Sequence, residues 1–426
     1  MTVTQGSQLG ADLLQIALIT HTLGITQYGR FSLVVAFVTI VSTFFDLRVG
    51  IAATTYGARQ LRRDPRAAVG VFQLSYLIDL SSGAVFAGVV APLTLIVGSG
   101  VVGGVSPEVV LVYTLVLLAR HVETTPIAVL RLLDRMKLLA LMTFVTESAR
   151  LALVFAALQA EKSLLAVAAA VAVGKLGAGT VKALLAFRVF VRAYPGERLT
   201  RASIGHVPAD ERQAILRTVF HSSLLSYEGI TQIHAPTLVL GWLAGATETG
   251  LYKVGMAIAS VIGNVAAPAS AAILPRLSRL WSEERYRELR RLLRQATLIS
   301  LPVIVVVYLL LLAFRDPMLE LLGGGPVAKA AGTVLLLGAA GQAVYAAVFW
   351  RTSVLLAAYR TGTVAKVSLA GGALQIGALI ALVPSVGAEG AALAYFLSRA
   401  AINGALGYIA VRTVDSAVKA AEAAPS

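Results

Sequence analysis

The sequence predicts an all-α protein that crosses a membrane about twelve times, in two similar lobes of six helices each. Three observations predict it. The composition is 57% hydrophobic and 14% charged, with a mean hydropathy of +0.80, outside the range of soluble domains. Apolar windows of roughly 20 residues, the length that crosses ~30 Å of hydrocarbon, recur from one end of the chain to the other. Finally, the stretch from Thr22 to Arg66, a Gly-rich turn, an apolar helix and an arginine cluster, returns half a chain later, beginning LGWLAGATETGLYKVGMAIA. Gly29 is then matched near Gly250 and Arg59 near Arg279.

In chain order the windows lie at 3–23, 30–54, 70–97, 108–131, 137–159, 163–190, 214–243, 249–275, 294–314, 327–358, 361–383 and 387–412. The first has neither a basic flank nor a small-residue cleavage site, so it reads as a spanning helix and not as a removable signal. Several windows exceed the minimum length, which allows tilt or bending, and Pro126, Pro236 and Pro268 are the expected kink sites. Basic residues mark one set of connections: Arg59, Arg62, Arg63 and Arg66; Arg131, Arg135 and Lys137; Arg192, Arg198, Arg201 and Arg212; the arginines from Arg276 to Arg294; Arg360 and Lys366. The opposite set holds little beyond Arg30, Lys162, Arg315 and Lys329. That bias places both termini in the cytoplasm and the chain in the cytoplasmic membrane. Between the eighth and ninth windows, Leu277, Leu280, Trp281, Leu289, Leu292 and Leu293 recur at helical spacing among arginines. They fit an amphipathic helix on the inner leaflet as well as a solvated basic loop helix.

Further matches, LLDRMKLLALMTF with LAAYRTGTVAKVS and QAEKSLLAVAAAV with PSVGAEGAALAYF, keep nearly the same offset as the opening pair. Six spans per half make the repeats parallel. A polar connection near 193–212, with Pro195 and Gly196, divides an N-lobe at 1–212 from a C-lobe at 213–426.

Several functions are excluded or disfavoured. There is no Cys, and the five His are scattered without ligand spacing, so no metal site is expected. A net charge of +14 without interleaved aromatics or a nucleic-acid motif belongs to a membrane protein, not to a nucleic-acid binder. No nucleophile elbow, P-loop or dinucleotide fingerprint occurs, so no enzyme activity and no cofactor are expected.

Ionisable groups inside the spans carry the remaining information, because such groups face a bundle interior or a watery cavity. The first span places Gln5, Gln8, Asp12 and Gln15 on one helical face, and its counterpart carries His221, Glu228 and Gln232. Both stripes read as cavity lining, with a buried hydrogen-bond network as the alternative. The cations are Arg48, Arg120, Arg150, Lys175, Arg351 and Arg399. Arg120 with Glu123 and Arg150 with Glu147 could form pairs at a spacing of three that serve packing alone. Lys175, Arg351 and Arg399 have no opposite charge one turn away, and Arg48 has only Asp46, on another face. Positive charge so placed predicts an anionic ligand, although Arg48 and Arg351 could instead snorkel to the inner surface. Asp12 and Glu228 are the candidates for coupling to a proton or sodium ion.

The segments LGITQYGRFSLVVAF, TGLYKVGMAIA, ILPRLSRLWSE and VPSVGAEGAALAYFLSR, in this order and on these helices, resemble the multidrug/oligosaccharidyl-lipid/polysaccharide (MOP) exporter superfamily, most closely its Wzx-type polysaccharide flippases. Asp46-Leu47 is followed by Arg48 where that family has a small or apolar residue. The resemblance implies two lobes around a cavity that opens alternately to each face. Its implied cargo is a polyprenyl-pyrophosphate-linked oligosaccharide, the pyrophosphate held by arginines or lysine and the glycan by Gln8, Gln15, Gln232 and Asn403. A polysaccharide polymerase and glycosyltransferases are its expected partners beside the membrane lipids, and the protein is expected to be a monomer. A drug/cation antiporter of the same superfamily would need a net acidic cavity, and a non-transporting assembly partner would have every intramembrane charge paired.

Overall fold

The computed structural model describes residues 2–97, 102–196, 203–223 and 230–423, and these are almost entirely helical. Fourteen α-helices are found among them: α1 Thr2–Leu23, α2 Ile25–Thr43, α3 Val49–Leu61, α4 Pro65–Val97, α5 Pro107–Leu132, α6 Met136–Ala160, α7 Leu164–Ala193, α8 Ala209–Ser223, α9 Ala235–Ser282, α10 Tyr286–Ala313, α11 Arg315–Gly323, α12 Gly325–Ala347, α13 Arg351–Ala357 and α14 Thr361–Ala423. Nine segments among the described residues are long and apolar enough to cross a membrane. Two of these are interrupted by non-helical residues, Gly245 in α9 and Val386–Gly387 in α14, so each joins two successive predicted spans. With the more polar α1, the expectation of about twelve spans is met.

The second predicted span is not one helix. It is broken over Phe44–Arg48, where Arg48 adopts a left-handed conformation with φ 40° and ψ 38°. Sequence periodicity misses such a break because no Pro or Gly announces it. The tenth span is likewise interrupted between Ala347 and Arg351. Of the expected kink sites, Pro126 and Pro268 lie inside continuous helix, while Pro236 comes just after a π-helical turn, Ile230–His234. The stretch read as either an inner-leaflet amphipathic helix or a solvated loop helix is not one helix. Glu284, with φ 56°, splits it into the end of α9 and the start of α10. Leu277, Leu280, Leu289 and Leu293 are buried within this hairpin, so they are packing residues and not a membrane-facing stripe.

Chain contacts group into two compact units, Met1–Leu23 with Arg30–Ile230, and Gly24–Gly29 with Thr231–Ser426. The first unit therefore extends past residue 212 to include α8. Ile215 and Val219 of α8 pack with Val49 and Ala52 of α3, Val71 of α4 and Val207, and Gln60 hydrogen-bonds Glu211 beside them. A second core of this unit joins Ala53, Phe72, Val129, Leu139 and Phe190 from α3 to α7. In the second unit α9, α12 and α14 form the centre, with Val254, Ile258, Val334, Leu335 and Ala339 fully or almost fully buried. Outward-facing leucines, isoleucines and valines on α10, including Leu298, Ile299 and Val306, are exposed, as lipid-facing residues are. Lipid tails are as apolar as leucine, so packing and polar contacts hold such helices together more than burial does.

The first turn of α2 shows the repeat most directly. Gly24 and Gly245 share φ 86°, a conformation costly for any side chain with a Cβ. Thr26 Oγ1 lies 2.8 Å from Thr247 Oγ1. A Cβ on Gly29 would overlap the Ala246 carbonyl oxygen, and one on Gly250 would overlap that of Ile25. The pairs are related by one residue offset, so the crossing is built from equivalent residues of the two copies.

Candidate functional site

In the first unit the polar residues of α1, α6 and α7 meet at Arg150. Its guanidinium donates from Nε to Glu147 Oε2 at 2.7 Å and from Nη2 to Asp12 Oδ1 at 2.9 Å, and a further nitrogen bonds Gln15. Lys175 Nζ donates to the other Glu147 oxygen at 2.6 Å. Two cations and two carboxylates balance. Arg150 and Glu147 are buried, whereas the Asp12 side chain is 64% exposed. The pair at a spacing of three in α6 therefore forms as expected. Lys175, read from its own helix as lacking a countercharge, finds one on α6. Along the stripe of α1, Gln8 is exposed and Gln15 half-buried.

Arg120 takes a different partner from the one its own helix offers. Its Nη2 donates to Asp46 Oδ2 at 3.1 Å, and Asp46 Oδ1 accepts from the Arg48 amide at 3.4 Å, so the break between α2 and α3 is tied to α5. Glu123 is instead bound by Lys182 of α7 at 2.6 Å. A cavity of about 460 Å³ between α3 and α5 is lined by Thr54, Thr55, Arg120, Glu123 and Arg131.

The second unit treats its cations otherwise. The Arg351 guanidinium carbon lies 4.9 Å from the centre of the Tyr345 ring, and that of Arg399 lies 5.6 Å from the same ring and 5.2 Å from Tyr395. Arg399 Nε also donates to the Tyr395 hydroxyl at 3.1 Å. The break before α13 and the spacing of four between Tyr395 and Arg399 bring these groups together. Among the described residues Arg399 has no carboxylate partner, and Lys253, on α9 beside Tyr252, has neither an ion pair nor a hydrogen bond. Aromatic faces stabilise a guanidinium without neutralising it, so this cluster keeps its positive charge.

Gln232 and Asn403 do not line open space. Both are buried, the Asn403 amide donates to the Arg399 carbonyl one turn back at 2.5 Å, and the Gln232 carbonyl accepts from Gln375 at 3.4 Å. Glu228, together with Arg198 and Arg201, lies outside the described residues, as do the side chains of Gln5 and His221. Sequence reasoning missed Lys253, Lys182 and Asp79, each an ionisable residue inside a predicted span that the same rule of intramembrane charge picks out.

The chain matches the model of the polysaccharide biosynthesis protein family over residues 1–281 and that of the MatE family over 234–379. No curated protein matches it in sequence. Among solved structures it is similar to an inward-facing multidrug resistance MATE family transporter of the MOP superfamily, at 12% identity and a TM-score of 0.68 over 98% of this chain and 96% of that one. The Vibrio cholerae MATE transporter VcmN in its bent form aligns at 16% identity and a TM-score of 0.57 over 99% of each chain. The lipid II flippase MurJ in an inward closed conformation aligns at 11% identity and 0.68 over 96% and 86%. With two thirds of its length under one family model, the chain belongs to the polysaccharide biosynthesis protein family.

Proposed function

We propose that this protein is a flippase that carries a polyprenyl-pyrophosphate-linked oligosaccharide from the inner to the outer leaflet of the cytoplasmic membrane by alternating access. The observation that carries the reading is the cluster on Tyr345, where Arg399 is held by aromatic rings and not by a carboxylate. Pyrophosphate is a dense anion with oxygens that match a guanidinium fork, and in a low-dielectric site it binds such groups strongly. Arg399 and Arg351 are assigned to the headgroup, and the exposed Gln8 and half-buried Gln15 to the glycan. Arg150 and Lys175 hold the first unit together and contact cargo only if Glu147 lets go.

The test is outward movement of a fluorescent polyprenyl-pyrophosphate oligosaccharide in vesicles containing the purified protein. Arg399→Gln removes one charge-assisted contact, worth about 1.5–3 kcal/mol, and so lowers cargo affinity roughly tenfold to a hundredfold. An unchanged rate and affinity would remove the cluster from cargo binding. A second reading, a drug/cation antiporter, is favoured by the MatE match over residues 234–379. Efflux of an organic cation such as ethidium, with no movement of the lipid-linked sugar, would establish it.

A further inference from the structure

Between α4 and α5 lies a set of polar side chains that no cation balances. Asp79 and Ser82 of α4 face Thr125 and His121 of α5 as two rungs. Thr125 Oγ1 donates to Asp79 Oδ2 at 2.8 Å, and Ser82 Oγ lies 3.2 Å from His121 Nδ1. All four side chains are buried, with Asp79 only 4% exposed. Ser82 Oγ also donates to the Asp79 backbone carbonyl at 3.0 Å. Asp79 receives Thr125 on one carboxylate oxygen, and no lysine or arginine reaches the other among the described residues. One turn back on the same face, Ser75 is fully buried with its Oγ without any partner.

We propose that Asp79 is a proton-binding site that loads and releases one proton in each transport cycle. A bare carboxylate here would be an uncompensated buried charge, whereas the protonated acid carries none and keeps the Thr125 bond. In the conformation described, the carboxyl keeps its proton. When α4 and α5 separate enough to admit water, the proton passes to water and leaves the carboxylate, and the return step takes one from water at the opposite face. The other groups facing the site are Tyr76 on α4 and, from the α2–α3 connection and α5, Asp46 and Arg120, which are bound to each other. Glu123 is occupied by Lys182, Glu211 by Gln60, and His206 is exposed. Asp12 is bound by Arg150, so it is a poorer carrier than Asp79.

The site is tested without any cargo. Infrared titration of the full-length protein in phosphatidylethanolamine–phosphatidylglycerol vesicles should show the carbonyl stretch of a protonated carboxyl at neutral pH. That signal should be lost in Asp79→Asn, shifted in Thr125→Val, and unchanged in Asp12→Asn. Absence of the band in the native protein, or its survival in Asp79→Asn, overturns the proposal; so does an unshifted band in Thr125→Val should Asp79→Asn not fold. None of these results touches the flippase reading, which the vesicle assay with lipid-linked sugar decides separately.

Discussion

Glu147→Gln separates structural charge from cargo-binding charge in the first unit. Its carboxylate serves two cations at once, Arg150 at 2.7 Å and Lys175 at 2.6 Å, and its side chain is 5% exposed. Neutralising one member of a buried pair costs about 3–5 kcal/mol, because the partner is left as an uncompensated charge. Arg150 would retain Asp12 at 2.9 Å, and Lys175 is 30% exposed, so the lower end applies. A loss of about 3 kcal/mol raises the unfolded fraction roughly a hundredfold, at 1.4 kcal/mol per factor of ten. Denaturation of the detergent-purified protein in increasing dodecyl sulfate measures it. Replacing the whole cluster, Glu147→Leu with Arg150→Met and Lys175→Met, should restore most of the stability, since well-packed apolar residues replace buried ion pairs at little cost. If Glu147→Gln is as stable as the native protein, or if the triple variant is no better than the single one, the cluster does not hold the helices as described.

At the break in the second span, Arg48→Gly should stabilise by about 0.5–1 kcal/mol through relief of the left-handed backbone, and Arg48→Ala should not; the two melting temperatures decide between them. Thr26→Cys with Thr247→Cys, in a chain that has no other cysteine, should form a disulfide within the second unit on mild oxidation, seen as a mobility shift that reduction reverses; absence of the shift would contradict the close crossing. Glu211→Ala should loosen α8 from α3 by about 1–3 kcal/mol by leaving the buried Gln60 amide without its acceptor, read as faster amide exchange across Ala209–Ser223.

The architecture was legible because hydrophobic length and loop charge are additive, one-dimensional signals. Span count and repeat both rest on them. The opening of the twelfth span at residue 387 was visible as VPSVGAEG, and the fold puts Gly387 there with the Glu248 carboxylate accepting from the Ala388 amide at 2.7 Å. Partnership was not legible. Lys175 looked uncompensated because its own helix carries no carboxylate one turn away, while its countercharge sits 28 residues earlier on a neighbouring helix. Arg120 looked paired to Glu123 for the same reason, but Arg120 bonds Asp46 in the break between α2 and α3, and Glu123 bonds Lys182 of α7. Spacing along one helix reports which groups share a face; it cannot report what the next helix brings to that face. Arg48 shows the converse limit, since it was readable as a departure from the family pattern but its left-handed backbone was not.

Duplication explains the backbone and not the chemistry laid on it. Equivalent glycines and threonines meet at the Gly24 and Gly245 turns, so the two copies have kept the geometry that a close helix crossing demands. Away from that crossing the copies diverge in how they treat charge. In the first, Arg120, Arg150, Lys175 and Lys182 each have a carboxylate within 3.1 Å. In the second, Arg399 rests on tyrosine rings, an arrangement that stabilises the cation while leaving its field available to a ligand. A paired charge must be freed before it can bind cargo, and the freeing costs several kcal/mol; an aromatic-held charge needs only to exchange water for the anion. Taken together, the two proposals put rigid packing and proton exchange in the first copy and anion capture in the second. That division predicts that charge removal in the first copy shows up first as instability and in the second first as weakened cargo binding. Arg150→Met and Arg399→Gln, compared by denaturation and by cargo affinity on the same preparations, should therefore fail in opposite assays. If both variants lose only cargo affinity, the two copies contribute charge to cargo alike and the asymmetry has no functional meaning.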